Sequence, residues 1–561
     1  MWLCATSLGA GPRESGLIDA ALSPFAELEG VSFVPEVHEP LRPLKASPAP
    51  LAAQEELIRS YQDIDDAREG IGISESDLAS YRDAFEADPH SRMTQNALRQ
   101  IDARSLSRKK LVIDHHFSHR LGMLKAMPLN QRESPRCWIF AAQRMMQMYV
   151  MHIASHGSGG DYNRRENITD GAELSATYPL FWETYEKANA FYEEVIETAY
   201  PETHPMDEWQ MREVFGDPLP RGGTWPLYQQ LFLKYGAVPE KAMPETWAST
   251  KTDDMFALIQ MMLREGGFEL REAAQALVAK RARGSKKKRG RKLATEAAER
   301  AAARDLEALR KQKMRLLEPV HRQLVVHLGM PPERFNWTFN TVSGMQHTYV
   351  ELTPQTFAFD VVPFRADNLL YIQHDPRHEY WKLYTHKGPR SSFMAGWRYS
   401  VLNAPMAYIE QLTTHSLLRG HPVWFAADVG ADSSVGQGRS NVLDKGLFEY
   451  EQLLGVPLNL SKAERIAYLQ SYATHAMLFT GVDVDANFTV SKFHVDNSWG
   501  DAAGSLSMSA GWFREYVFYI AIDKSFLHPS VLKIFEETEP VELESWDTMG
   551  TQQSLCGGHG T

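Results

Sequence analysis

The sequence predicts an α+β protein in which helices come mainly first and strands mainly second. Three observations predict this. From Trp138 to Ile153 the chain supplies Trp, Ile, Phe, Ala, Met, Tyr and Val with few polar interruptions, as a helix buried on most sides requires. Between Tyr178 and Glu194, Phe181, Tyr185, Ala188, Phe191 and Tyr192 recur at helical spacing. After Pro331 the texture changes, and Thr348 to Leu352, Val423 to Ala426 and Lys492 to Val495 read as short strands rich in β-branched and aromatic residues.

Taken in order, the first segment to about Gln54 is rich in Pro, Ala and Gly, and Pro35, Pro40, Pro43, Pro48 and Pro50 interrupt any helix. It reads as a partly flexible extension. Leu57 to Lys110 is polar and compatible with helix, and Leu111 to Ile113 reads as a short strand or extended segment. The apolar helix and the Tyr178 helix follow. Asp253 to Arg315 is a long helix-favouring tract with a basic interruption, and the strand-type runs come last.

At 561 residues the chain is too long for one ordinary core, and 43% hydrophobic residues are ample for several. Cys4, Cys137 and Cys556 lie far apart and make no zinc pattern or disulfide framework, so a reducing compartment is expected. Met1 to Gly11 has no basic segment ahead of an apolar core, and no stretch approaches the length needed to cross a bilayer. Secretion and membrane insertion are therefore not expected. A formal net charge of −12 disfavours a surface that binds nucleic acid globally.

Cys137 is the residue around which chemistry gathers. It follows Gln131-Arg132-Glu133-Ser134-Pro135-Arg136 and opens the apolar helix. A thiol at a helix start is stabilised as its anion by unpaired backbone N–H groups and by the positive end of the helix dipole. A lone cysteine is commonly buried and inert, and any one of 20 histidines is ordinary. The combination is more specific: His475 offers a base, Asn497 in Asp496-Asn497-Ser498-Trp499-Gly500 an orienting amide, and Gln131 an oxyanion donor.

These segments resemble the papain-like cysteine peptidases, within them the bleomycin hydrolase and aminopeptidase C branch. The likeness extends through His119, Glu173-Leu174-Ser175, Gly222-Gly223 with Trp225, Asp375-Pro376-Arg377, Asp428-Val429-Gly430, Lys462 to Arg465 and Trp546-Asp547. It implies a two-lobed papain-like fold with helical insertions. The expected organisation is an extension at 1–56, a hook and nucleophile-bearing lobe at 57–190, a cleft wall and helical insertion at 191–330, a sheet-rich lobe at 331–550 and a tail at 551–561.

The resemblance also implies roles. Cys137 would attack the peptide carbonyl to form a thioester, His475 would move the proton, Asn497 would fix the imidazole, and Gln131 would bind the oxyanion. Trp499 would shield the His475 contact from water, and Gly222 with Gly223 would line the cleft where a substrate backbone approaches. No cofactor or metal is expected, because adjacent residues in Asp114-His115-His116-Phe117-Ser118-His119 cannot all converge on one ion. The expected activity is removal of N-terminal residues from peptides, and hydrolysis of bleomycin-like amides, by a cytoplasmic homohexamer. Two alternatives stand beside it: an endopeptidase, and a nucleic-acid-binding ring that keeps the fold as a scaffold. Nine basic residues in 280–292 make that run the candidate nucleic-acid contact, with access to the nucleus. The tail after Gly550 is longer than the family's usual few residues, which leaves its processing open.

Overall fold

The computed structural model describes residues 73–110, 114–121, 129–152, 168–170, 172–200, 208–285, 293–341, 344–362, 364–387, 392–394, 397–435, 441–544 and 547. The expected extension 1–56, the segment Leu111 to Ile113, residues 286–292 of the basic run and the tail 551–561 lie outside them. Two compact units divide the chain, Met1–Arg92 and Met93–Thr561. In the first, the Glu75–Ala87 helix begins at a capping box, in which the Ser74 side chain accepts from Asp77 N and the Asp77 carboxylate accepts from Ser74 N.

The second unit has two hydrophobic cores. One is helical. Thr177–Ala199, Asp253–Ser285 and Leu293–Leu328 pack against one another, and Phe191, Val195, Ile259, Leu263, Val320 and Leu324 close the space between them. Asp253–Ser285 carries two glycines near its middle, where glycine weakens a helix. Packing explains them: a Cβ on Gly266 would lie 2.3 Å from the Tyr192 hydroxyl, and one on Gly267 would lie 2.8 Å from the Phe215 ring.

The other core lies around an eleven-stranded sheet, counted among the described residues. Its centre runs Leu369–Gln373, Val517–Asp523, Val423–Ala427, His475–Val484, Val490–Asp496 and Ser505–Ser509. Val423–Ala427 is buried at every residue, and the first eight residues of His475–Val484 are buried too. Continuous burial fits strands covered on both faces. The Cys137–His152 helix and the Met406–Leu418 helix both pack on His475–Val484. Cys137–His152 has Cys137, Trp138, Ile139, Ala142, Met145 and Met146 wholly buried, so it runs through the core.

The fold is α+β as expected, with two differences from the simple order of helices then strands. Gln346–Leu352 joins Phe335–Thr341 and Ile168–Asp170 in a separate three-stranded sheet, so Thr348 to Leu352 contributes nothing to the main one. The sheet-rich half also holds the helices Met406–Leu418, Ala510–Tyr516 and Pro529–Glu537.

The glycine pair gives a stability prediction. Gly266→Ala raises intrinsic helix propensity by about 1 kcal/mol, but the crowded Tyr192 contact should outweigh it and leave the protein about 1–2 kcal/mol less stable. Denaturant unfolding measures the difference. A more stable variant would show that the helices do not cross as closely as described.

Candidate active site

The site begins with the turn before the Cys137–His152 helix. Phe140 N donates to Arg136 O at 3.0 Å, so Arg136 caps the helix and Cys137 is its first residue. The backbone N–H groups of the first turn have no partner within the helix. Arg136 is 1% exposed. Its Nη1 and Nη2 donate to the Glu245 carboxylate at 2.8 and 2.9 Å, and its Nε donates to Ser134 Oγ at 2.8 Å. This fork fixes the helix start against the segment around residue 245.

The turn is also held from the opposite side of the chain. Gln131 N donates to Ser498 O at 2.8 Å, Gln131 Oε1 accepts from Ser498 Oγ at 2.6 Å, and Gly500 N donates to Leu129 O at 2.9 Å. Gln131 Nε2 donates to Ser134 O at 2.8 Å. Arg132, at φ 54°, occupies the left-handed region that non-glycine residues seldom adopt. Glu133 N, in turn, donates to Thr250 O at 3.0 Å. Backbone and side-chain bonds therefore hold this short segment between residues 245–252 and 497–500.

His475 and Asn497 meet through strand register. Leu478 pairs with Asp496 in the antiparallel hairpin, so the first residue of one strand falls beside the segment that follows the last residue of the other. His475 Nε2 donates to Asn497 Oδ1 at 2.7 Å, while Asn497 Nδ2 donates to Ala503 O at 3.0 Å. The carbonyl acceptor places the proton on Nε2 and leaves Nδ1 as the basic nitrogen. Both side chains are 4% exposed. The Trp499 indole lies 4.6 Å from the imidazole, ring centroid to ring centroid, and is itself 38% exposed. Burial pushes the His475 pKa down to about 4, partly offset by the Asn497 hydrogen bond.

Cys137 is wholly buried, and its Sγ accepts from Ala476 N at 3.4 Å. That contact puts the sulfur beside the start of the strand that carries His475. Cys4 and Cys556, the other cysteines of the sequence, lie outside the described residues.

The glycine pair is buried beside the same helix start. Gly222 has φ 77°, and its carbonyl accepts from the buried Lys187 ammonium. A Cβ on Gly223 would come within 2.6 Å of the Trp138 ring, so the missing side chain lets the indole next to Cys137 approach the backbone closely. The histidines of 114–119 do not converge: His115 Nδ1 pairs with Ser507 Oγ at 2.7 Å, His116 with Asp114 at 3.8 Å, and His119 with Ser118. In the described part of the basic run, Arg281 donates to the Tyr200 hydroxyl at 2.7 Å and approaches Asp305 at 3.5 Å. It braces the two long helices, and so it is not displayed as a free phosphate contact. Among the described residues no helix is long and apolar enough to cross a membrane. Sequence reasoning named Arg136 and Ser498 within their motifs without their partners and missed Glu245; only the capping position of Arg136 gave a local signal.

The lowered His475 pKa gives a titration prediction. In Cys137→Ala, His475 is expected to stay neutral down to about pH 4 by NMR. In reduced protein a neighbouring thiolate should raise that value. The folded pKa lies below that of an unfolded histidine, about 6.5. Stability tied to neutral His475 is therefore present at neutral pH and lost as pH falls from that value towards 4. Titration near 6.5 in Cys137→Ala would contradict the burial described here.

Comparison with known proteins places this geometry in a family. The Peptidase C1-like family matches residues 72–290 and 281–550. Aminopeptidase G of Lactobacillus delbrueckii subsp. lactis is 30% identical over 479 residues, covering 84% of this chain and 98% of its own. Bleomycin hydrolase of Homo sapiens is 28% identical over 494 residues, covering 85% and 98%. A crystal structure of pepw from Lactobacillus rhamnosis superposes with a TM-score of 0.71 at 28% identity, covering 86% of this chain and 99% of that one. A helix-start cysteine against a histidine-bearing strand, within a fold and sequence shared along almost the whole length of these relatives, makes the chain a member of the papain-like cysteine peptidases, in the branch of bleomycin hydrolase and aminopeptidase C.

Proposed function

We propose that this protein is a cysteine aminopeptidase that releases N-terminal residues through a thioester on Cys137. One observation carries the reading: the Cys137 sulfur sits at a helix start, touches the backbone beside His475, and His475 is hydrogen-bonded on its far nitrogen to Asn497. In this mechanism His475 Nδ1 takes the proton from Cys137 Sγ, and the thiolate attacks the peptide carbonyl carbon. The oxyanion is met by the Cys137 backbone N–H and the second amide hydrogen of Gln131 Nε2. Collapse breaks the C–N bond, and His475 returns the proton to the departing amine. Water, deprotonated by His475, then opens the thioester and regenerates the thiol. Asn497 orients the ring without adding a titrating charge. Gly222 and Gly223 supply the backbone wall of the cleft, with Trp499 excluding water.

Selection for the N-terminus is drawn from the aminopeptidases and bleomycin hydrolases in the comparison. Cytoplasmic location and ring assembly belong to the same proposal, and sedimentation of the purified chain tests the assembly.

Cys137→Ala is expected to abolish peptide hydrolysis while leaving circular dichroism unchanged; retained turnover would reject the nucleophile. Gln131→Ala should lower kcat by about 100- to 1,000-fold, the usual loss for one oxyanion donor, with a smaller change in KM. A change in KM alone would remove Gln131 from the transition state. On matched substrates, peptides with a free N-terminus should be cleaved and N-acetylated ones spared, since acetylation removes the recognised charge. Efficient internal cleavage without that preference would replace the aminopeptidase reading with an endopeptidase.

A further inference from the structure

The helical core carries a buried cation that faces the glycine pair beside Cys137. Lys187 and Glu183 stand one turn apart on the Thr177–Ala199 helix and are 7% and 3% exposed. An ammonium so deeply buried is tolerated only where its protons find acceptors. Here all three do: Lys187 Nζ donates to the Glu183 carboxylate, to Pro220 O at 2.6 Å and to Gly222 O. Two of the three bonds therefore hold the backbone of the connection between the Glu208–Gly216 and Trp225–Tyr235 helices. A second charged tie on this connection, Arg221 to Asp253 at 2.7 Å, lies at the surface with side chains 39% and 70% exposed, where an ion pair holds little.

The bond to Gly222 fixes an orientation as well as a position. Gly222 C=O and Gly223 N–H belong to one planar trans peptide, so the two groups point in opposite directions. With the carbonyl drawn to Lys187, the Gly223 N–H turns away from the helical core. Gly222 reaches this arrangement at φ 77°, which glycine adopts without steric cost. The close approach of Gly223 to the Trp138 indole sets the same peptide beside the residue that follows Cys137. Gly223 is buried, yet among the described residues its N–H has no hydrogen-bond partner. Buried backbone donors are almost always paired, so this one is left for an acceptor that the chain itself does not supply.

We propose that Lys187 is a positioning residue for peptide binding: its ammonium holds the Gly222–Gly223 peptide so that the Gly223 N–H is presented to a backbone carbonyl of the substrate. This rests on the reading of the glycine pair as the wall of the cleft. Glu183 keeps the ammonium in place and balances its charge, so the pair acts from behind the wall without touching substrate. It holds the peptide over the nucleophile and leaves the reactivity of the Cys137 sulfur alone.

Lys187→Met by itself would strand a buried carboxylate. The variant for the test is therefore the full chain with Lys187→Met and Glu183→Leu together, since exchanging a buried ion pair for apolar residues of similar volume is often neutral for stability. Three quantities are compared with the wild type under reducing conditions: KM and kcat on a peptide with a free N-terminus, the rate at which iodoacetamide modifies Cys137, and amide hydrogen exchange in the segment 217–224. KM is expected to rise about tenfold, the order of one lost hydrogen bond, with kcat little changed. Alkylation should be unchanged and exchange in 217–224 faster. Unchanged KM with unchanged exchange overturns the role of Lys187 and leaves the cleft-wall reading standing. Unchanged KM with faster exchange shows a wall that moves without consequence for the substrate, which overturns that reading and the proposal with it. A fall in kcat and in alkylation alongside the rise in KM, or a chain that does not fold, shows a merely structural pair and overturns the proposal as well.

Discussion

The site depends on how the first turn of the Cys137–His152 helix is pinned. A nucleophile at a helix start gains from orphan N–H groups only if that start is held against a base supplied by a distant strand. Here Arg136 provides the hold, through a fork from its buried guanidinium to the partly exposed Glu245 carboxylate, while Gln131 and Leu129 are tied to Ser498 and Gly500. Removing Glu245 would leave a guanidinium that is 1% exposed without its carboxylate, a loss kept below the cost of breaking a fully buried pair because Glu245 is itself 34% exposed. The same bonds set where the Gln131 side chain and the His475 imidazole sit, so stability and geometry share one set of contacts.

On the strand side, register fulfils the corresponding task. The hairpin of His475–Val484 and Val490–Asp496 brings His475 to Asn497 across 22 residues, and the neighbouring strands fix the height of that meeting within the sheet. Burial keeps His475 neutral, suited to accept a proton.

Much of this was legible in the chain. The run from Trp138 onward declared a buried helix because almost every face is apolar, and Val423 to Ala426 and Lys492 to Val495 declared strands through β-branched and aromatic residues. The likeness in segments around Cys137, His475 and Asn497 pointed to the family that the comparisons show. Other features had no local signal. Thr348 to Leu352 reads as a strand wherever it pairs, and only tertiary context sends it to the small sheet. Met406–Leu418 carries Thr413 and Thr414, poor helix formers, and is stabilised by packing on the sheet. Glu245 lies 109 residues from Arg136, and Asp547 lies 170 from Arg377; nothing at either position announces the partner.

The central claim is that Cys137 is activated by its helix start and by His475 together. The most direct measurement is the rate of Cys137 alkylation against pH, in reduced wild-type protein and in His475→Ala, with the modified residue identified by mass. The account predicts rapid alkylation of the wild type well below the ordinary thiol pKa of about 8.5, and a curve displaced upward in His475→Ala. Superimposable curves rising near the ordinary thiol value in both proteins would contradict it.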